Sequence, residues 1–350
     1  MFMKFDWIQN HLDRLAQTMV KAIQGLAKPQ PNLGIMYNYG KGVPQDDEEA
    51  VKWYRKAADQ GNVYAQFILG FMYRRGQGVP QDYKEAMKWF RLAADQGHAE
   101  AQYILGLMYS NGKGVPQDDE EAVKWYRKAA DQGHAEAQPL LGGMYLDGLG
   151  VPQDYKEAMK WFRLAADHQG HAEAQFILGK MYSDGLGVHQ DHQEAVKWFH
   201  LAADQGHAEA QFNLGFMYHS GQGVPHDYKE AMKWFHLAAD QGDAKAQFNL
   251  GFMYHSGQGV PHDYKEAVKW FHLAADQRLA KAQHSLGVMY GNGHGVHQDY
   301  IKAHMWLNLS ASNGDPDAIV MRDALSKKMT INQIDKAQEL ARDWKPSSGK

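Results

Sequence analysis

The sequence predicts an all-α fold: an α/α solenoid of eight helix-pair repeats with capping helices at its two ends. Three observations carry this. The segment from Ala99 to His134, AEAQYILGLMYSNGKGVPQDDEEAVKWYRKAADQGH, recurs along the 350-residue chain at a spacing of 36 residues. Such self-similarity overrides the two-domain organisation that length alone would suggest. Within each copy, two segments place apolar residues at helical spacing, and glycine and proline cluster between them.

The repeats fall at 27–62, 63–98, 99–134, 135–171, 172–207, 208–243, 244–279 and 280–315. The fourth is one residue longer, and the extra residue is assigned to His168 in its closing turn. Repeats six and seven differ at four positions only, Glu209/Lys245, Met232/Val268, Gly242/Arg278 and Asp243/Leu279. That near-identity marks a recently expanded array.

Before the first repeat, Phe5, Ile8, Leu12, Leu15, Met19 and Ile23 form one apolar stripe. It predicts a helix over 4–26 inside an N-terminal cap of residues 1–26. Repeat two illustrates the unit. Ala65, Leu69, Met72 and Tyr73 share one face of a first helix, which Gly76 ends. Gly78-Val79-Pro80 makes the connecting loop. Asp82 is the expected N-cap of the second helix, and Glu85 three residues on predicts a capping box. Ala86, Trp89, Phe90, Ala93 and Ala94 form its apolar face, and Gly97 stops it. The same punctuation returns at Asp118/Glu121, Asp154/Glu157, Asp191/Glu194, Asp227/Glu230 and Asp263/Glu266. One pair cannot bury its apolar face alone, so each must stack on its neighbours.

Pro29, Pro31 and Pro139 are compatible with first helices only in the first turn. Arg278 replaces a turn glycine and Lys302 a capping-box glutamate, which predicts a looser C-terminal junction. Beyond the array, Asp315-Pro316 starts a helix to about Lys328. Thr330 with Gln333 starts another to about Trp344, so residues 316–344 form the C-terminal cap. Residues 345–350 are expected to be disordered.

Lys and Arg total 37 against 41 Asp and Glu, a formal charge of −4. That balance leaves no electrostatic footprint for nucleic acid or an anionic membrane surface. The chain has no cysteine, which excludes disulfides, thiol nucleophiles and cysteine-bound zinc. No apolar run approaches the ~18 residues of a membrane span. Asp6, Gln9, Asn10, His11, Asp13 and Arg14 interrupt the N-terminal apolar residues, so no signal peptide is read there. The expected location is cytoplasmic, with export by another route left open.

The pattern A-x-A-Q-x-x-L-G-x-M-Y, then G-x-G-V-P-x-D, A-x-K-W-[FY] and A-A-D-Q-G resembles the Sel1-like repeat. The resemblance covers about residues 27–315. Met321-Arg322-Asp323 and Ala337-Gln338-Glu339-Leu340-Ala341-Arg342 are similar to the C-terminal segment of many bacterial members. It implies a right-handed, tetratricopeptide-like solenoid, and a non-enzymatic adaptor or scaffold that holds a protein or peptide partner in its concave groove.

Signs of chemistry are sparse. H-E-x-x-H and the P-loop are absent, and the G-x-G-V glycines follow helices rather than strands, as turn residues do. Asp118, Asp119, Glu120 and Glu121 suit a helix N-terminus. Ser110-x-x-Lys113 matches the S-x-x-K of serine β-lactamases without a partner K-T-G. Some cysteine-rich proteins of the resembled family have been associated with β-lactamase or penicillin-binding activity, so such an enzyme is the alternative reading. The cysteines of those proteins are missing here. No cofactor and no small-molecule substrate are predicted.

Three repeated columns remain. Trp53, Trp89, Trp125, Trp161, Trp198, Trp234, Trp270 and Trp306 are read as core between helices. Gln66, Gln102, Gln138, Gln175, Gln211, Gln247 and Gln283 are read as structural hydrogen-bonding residues at the inter-repeat turn. The candidate groove lies on positions 5, 9 and 12 of the first helices. Its candidate residues are Phe67, Tyr103, Phe176, Phe212 and Phe248 at position 5, then Phe71, Leu107, Lys180, Phe216 and Phe252 at position 9. Arg74, His219 and His255 hold position 12. Pro139 and His284 share position 5, and Gly143 and Val288 position 9. Exposed aromatic stripes mark protein-binding surfaces; position 5 packing beneath the neighbouring repeat is the alternative.

Fourteen of nineteen histidines lie at or beyond His189. One second-helix slot reads Arg55, Arg91, Arg127, Arg163, then His200, His236, His272 and Asn308. His219/His226 and His255/His262 bracket loops. A histidine-based metal or pH sensor is a further alternative. In that reading His200, His236 and His272 are exposed, and acidification to about pH 5.5 extends a positive stripe over the C-terminal half.

Overall fold

The computed structural model describes residues 29–346, so the helix expected over 4–26 and the last four residues lie outside the described residues. Eighteen α-helices and no strand occur among the described residues. Repeats one and two supply α1 (Pro29–Tyr39), α2 (Asp47–Asp59), α3 (Val63–Arg75) and α4 (Tyr83–Asp95). Repeats three and four supply α5 (Ala99–Ser110), α6 (Asp119–Asp131), α7 (Ala137–Asp147) and α8 (Tyr155–Gln169). Then come α9 (Ala172–Asp184), α10 (His192–Asp204), α11 (Ala208–Ser220) and α12 (Tyr228–Asp240). The array closes with α13 (Ala244–Ser256), α14 (Tyr264–Asp276), α15 (Ala280–Asn292) and α16 (Tyr300–Ser312). Two further helices follow, α17 (Pro316–Ser326) and α18 (Ile331–Asp343). The helices form two compact units, one ending at Gln169 and the other beginning at Gly170. In the first, each helix from α1 to α8 packs on the next. In the second, α9 to α16 do the same, and α17 and α18 both pack on α16.

The second helices start as their sequence suggests, with one difference. Asp82 is extended, and its Oδ1 accepts the amide hydrogens of Lys84 and Glu85 at 2.8 and 3.0 Å. The expected capping box does not close. Its second bond needs the Asp82 amide, which already donates to the Tyr73 carbonyl of the first helix at 2.9 Å. Glu85 therefore pairs with Lys88, as Glu121 does with Lys124 at 2.6 Å. At α18 no such competitor exists, and Thr330 and Gln333 close a full box.

Within a repeat, the aromatic residue after the tryptophan lies on the glycine of the first helix. A Cβ at Gly70 would sit 2.6 Å from the Phe90 ring, so the two helices approach as closely as they do because the glycine has no side chain. Between repeats, the loop glycine plays the matching part. Gly78 is left-handed, and a Cβ there would lie 2.2 Å from the Asp47 carbonyl oxygen, which leaves glycine alone able to serve.

The glutamine column ties each junction. Gln102 Nε2 donates to the Ala94 carbonyl at 3.0 Å, and its Oε1 accepts from Gln132 Nε2 at 2.7 Å. Gln211 repeats this with Ala203 and Gln241, and Gln247 with Ala239 and Gln277. A buried amide is thus satisfied on both ends. The tryptophan column is core: Trp125, Trp161, Trp198, Trp234 and Trp306 are buried, and Trp53, Trp89 and Trp270 half-buried.

Departures from the repeat have local consequences. The extra residue of repeat four does not lengthen a turn; it is absorbed into α8, fifteen residues long against thirteen for α6. Pro31 and Pro139 occupy the third positions of α1 and α7, inside the first turn. Arg278 takes the left-handed conformation, φ +64°, of the glycine it replaces. The junction there lacks the side-chain cap of its neighbours, because Leu279 has no acceptor to offer α15. At Lys302 the N-cap is kept, Asp299 accepting its amide at 3.0 Å.

Candidate protein-binding groove

Position 5 of the first helices does not line an open groove in the first three candidates. Phe67 is 1% exposed, and Tyr103 and Phe176 are likewise buried. Each ring is stacked on the histidine that closes its own repeat, just before the next first helix: Phe67 on His98, Tyr103 on His134 and Phe176 on His207, with centroids 4.5–4.6 Å apart. His98 and His207 also cap the following helix, their Nδ1 accepting the amides of Ala101 and Ala210, and His134 Nδ1 accepts the Ala137 amide. These aromatics are junction residues, and the groove assignment is corrected for them. Where the repeat closes with Asp243 or Leu279 instead, the ring is less covered, and Phe212 and Phe248 are half-buried. His284 bonds Asp315 through Nδ1 at 2.7 Å.

Position 9 varies along the array. Phe71 is 5% exposed, lying under the Arg74 and Arg75 guanidiniums at 5.8 and 5.7 Å, and so is also withdrawn from the exposed groove. Leu107, Gly143 and Val288 are half-buried, and Lys180 is exposed. Phe216 and Phe252, at equivalent places on α11 and α13, are 45% and 42% exposed. Of position 12, Arg74 is half-buried, and burial lowers its guanidinium pKa. His219 donates through Nε2 to Gln258 at 2.9 Å. His255 lies against Tyr264, with His294 beyond, and burial followed by the neighbouring imidazoles lowers its pKa. In the second unit, then, Lys180, Phe216, His219, Phe252 and His255 remain accessible on first-helix faces. Reading by slot missed Tyr264, exposed beside His255, and Lys113, whose ammonium lies 5.8 Å from the Tyr83 ring centre. The signal for Lys113 was its loop slot, where the neighbouring repeats hold Gln77 and Leu149.

The arginine-to-histidine slot on the second helices is a tie between repeats rather than an exposed stripe. Arg91 Nη2 donates to Tyr109 Oη at 2.8 Å and covers the Trp125 ring. His200 and His272 bond Tyr218 and Tyr290 at 3.2 and 3.3 Å, edge-on to Trp234 and Trp306. His236 stands edge-on to Trp270. Burial lowers the pKa of His200 and His272, so each takes up a proton at a lower pH than an exposed imidazole would. The slot of the last repeat, Asn308, instead receives Arg322 of α17 at 3.0 Å. Among the described residues, no group of three His, Asp or Glu side chains is arranged to hold a metal ion, and no helix is long and apolar enough to cross a membrane. Ser110 of the S-x-x-K match bonds the buried Tyr126 hydroxyl.

Comparison with known protein families finds eight Sel1 repeats, at residues 32–62, 63–98, 99–134, 135–169, 172–207, 208–243, 244–279 and 280–315. The chain belongs to the Sel1 repeat family. Among solved structures it is similar to a Sel1 repeat protein from Oxalobacter formigenes, at 37% identity and a TM-score of 0.68, over 91% of this chain and 90% of that one. It is also similar to a protective antigen present in uropathogenic Escherichia coli that displays an SLR fold, at 35% identity and a TM-score of 0.62, over 92% of this chain and 76% of that one. Sel1 repeat proteins are generally protein–protein interaction scaffolds and typically lack enzymatic activity.

Proposed function

We propose that this Sel1 repeat protein is a non-enzymatic scaffold that holds a protein or peptide partner along its first-helix faces. The observation that carries the reading is the pair Phe216 and Phe252, large aromatic rings left exposed at equivalent positions of adjacent repeats. Lys180, His219 and His255 on the same faces add polar and charged contacts around them. Aromatic side chains supply large contact area with little rotamer entropy to lose, and they dominate binding hot spots. Leaving two of them in water on a protein with ample aliphatic core is expected where something else covers them.

The test is affinity capture from the native host with the full chain and with Phe216→Ala/Phe252→Ala. The double variant should lose its captured partner, with affinity weakened by at least ~2 kcal/mol. Its melting temperature should barely change, since both rings face solvent. Retention of the partner together with a large fall in melting temperature would assign both rings to the fold and defeat the reading.

A further inference from the structure

The first unit carries a different surface on the same helix faces. A recess opens there between the end of α3, the start of α4 and the middle of α5. Its floor is aliphatic, made by Ile104, Leu107 and Met108, and its rim carries Arg74 and Lys113 with Tyr83 between them. No residue lining it is acidic. Arg75, beside Arg74, adds a further cation over Phe71. The rim is held in place by local bonds: Gln81 Nε2 donates to the Arg74 carbonyl at 2.8 Å and reaches Tyr83 Oη at 3.2 Å.

The pairing of Arg74 from repeat two with Lys113 from repeat three does not recur: Lys41 shares the slot of Lys113, but the equivalent pairs are Asn38 with Gln77, Ser110 with Leu149 and His219 with Gln258. In a chain of net charge −4, permanent cations converging over an aliphatic floor set this place apart. A half-buried guanidinium has shed part of its hydration, so an arriving anion competes with less water there than on an open surface.

We infer that this recess binds an acidic peptide segment of the partner. An aliphatic side chain rests on Ile104, Leu107 and Met108, and a carboxylate near it in sequence lies between Arg74 and Lys113. The inference deepens the scaffold reading and rests on it. The floor argues for a peptide rather than a polyanion, because a phosphate backbone has no aliphatic group to place there, whereas a leucine or isoleucine beside a glutamate fills both halves.

The probes are short fluorescent peptides of alternating serine, leucine and glutamate. One control has glutamine for every glutamate, and another has serine for every leucine. The full chain should bind the first peptide about tenfold more tightly than either control, and added salt should narrow its lead over the glutamine peptide. Arg74→Gln/Lys113→Gln should abolish the preference for glutamate. Lys156→Gln, which removes an exposed charge from α8 in the same unit, should preserve it. Lys113→Gln alone, at an exposed residue, should lower the preference in a chain whose fold is not at issue. Equal binding of the glutamate and glutamine peptides, or an unaltered preference in the Arg74/Lys113 variants, would overturn the inference. Capture of a partner through Phe216 and Phe252 would stand in either case, so the two readings fail separately.

Discussion

Arg278 holds a backbone conformation that an L-residue adopts at a cost, φ +64° at the turn where neighbouring repeats have glycine. The left-handed region is unfavourable by roughly 1–2 kcal/mol for a residue with a Cβ. Arg278→Gly should therefore raise stability by about 1 kcal/mol, part of the gain being offset by the larger entropy glycine loses on folding. Chemical denaturation would show a higher midpoint at unchanged slope. The opposite experiment is Gly70→Ala. The new Cβ would meet the Phe90 ring at 2.6 Å, inside a pair of helices with no freedom to part. Overpacking of this kind costs about 1–3 kcal/mol, and a melting temperature equal to that of the parent would mean the helix pair is more pliable than its geometry implies.

Among helices, the entry of α5 links sequence to a pH response. His98 Nδ1 accepts the Ala101 amide at 3.2 Å, which requires a neutral ring, and burial before any other influence lowers its pKa below the usual imidazole range. Folding thus favours the unprotonated form. Its contribution is complete above about pH 6.5 and declines as pH falls below that, because the unfolded chain takes up the proton first. His98→Asn should keep the cap, as Asn62 does at the preceding repeat by accepting from Ala65 at 2.9 Å. The variant should lose less stability between pH 7 and 5 than the parent; equal losses would show that other groups govern the acid response. Helix positions and second-helix caps were legible because each depends on residues within one 36-residue unit, and the glutamine ties because the repeat brings the same residues to successive junctions. The groove was legible only in part. Whether a position 5 aromatic is open or covered depends on the residue that precedes the next first helix, histidine in one case and Asp243 or Leu279 in another. The capping box failed for a similar reason, since its competitor for the Asp82 amide, Tyr73, comes from the other helix of the pair.

Across the molecule, stability is shared between neighbours rather than centred on one core. Trp161, 3% exposed in α8, is a suitable probe. Trp161→Ala should cost ~3–5 kcal/mol, and the damage should pass to the adjoining repeats and broaden the unfolding transition. A sharp transition at the parental midpoint would exclude a core role. The junctions bear on growth of the array as well. The Gln211 and Gln247 ties use the same atoms and the same partners one repeat apart, so the end of one unit is already a socket for the start of another. An extra copy of residues 208–243, inserted after Asp243, would find every bond it needs waiting on both sides. Length is then a quantity this lineage can change by tandem duplication without inventing any new contact, and each added unit would bring another exposed phenylalanine equivalent to Phe216.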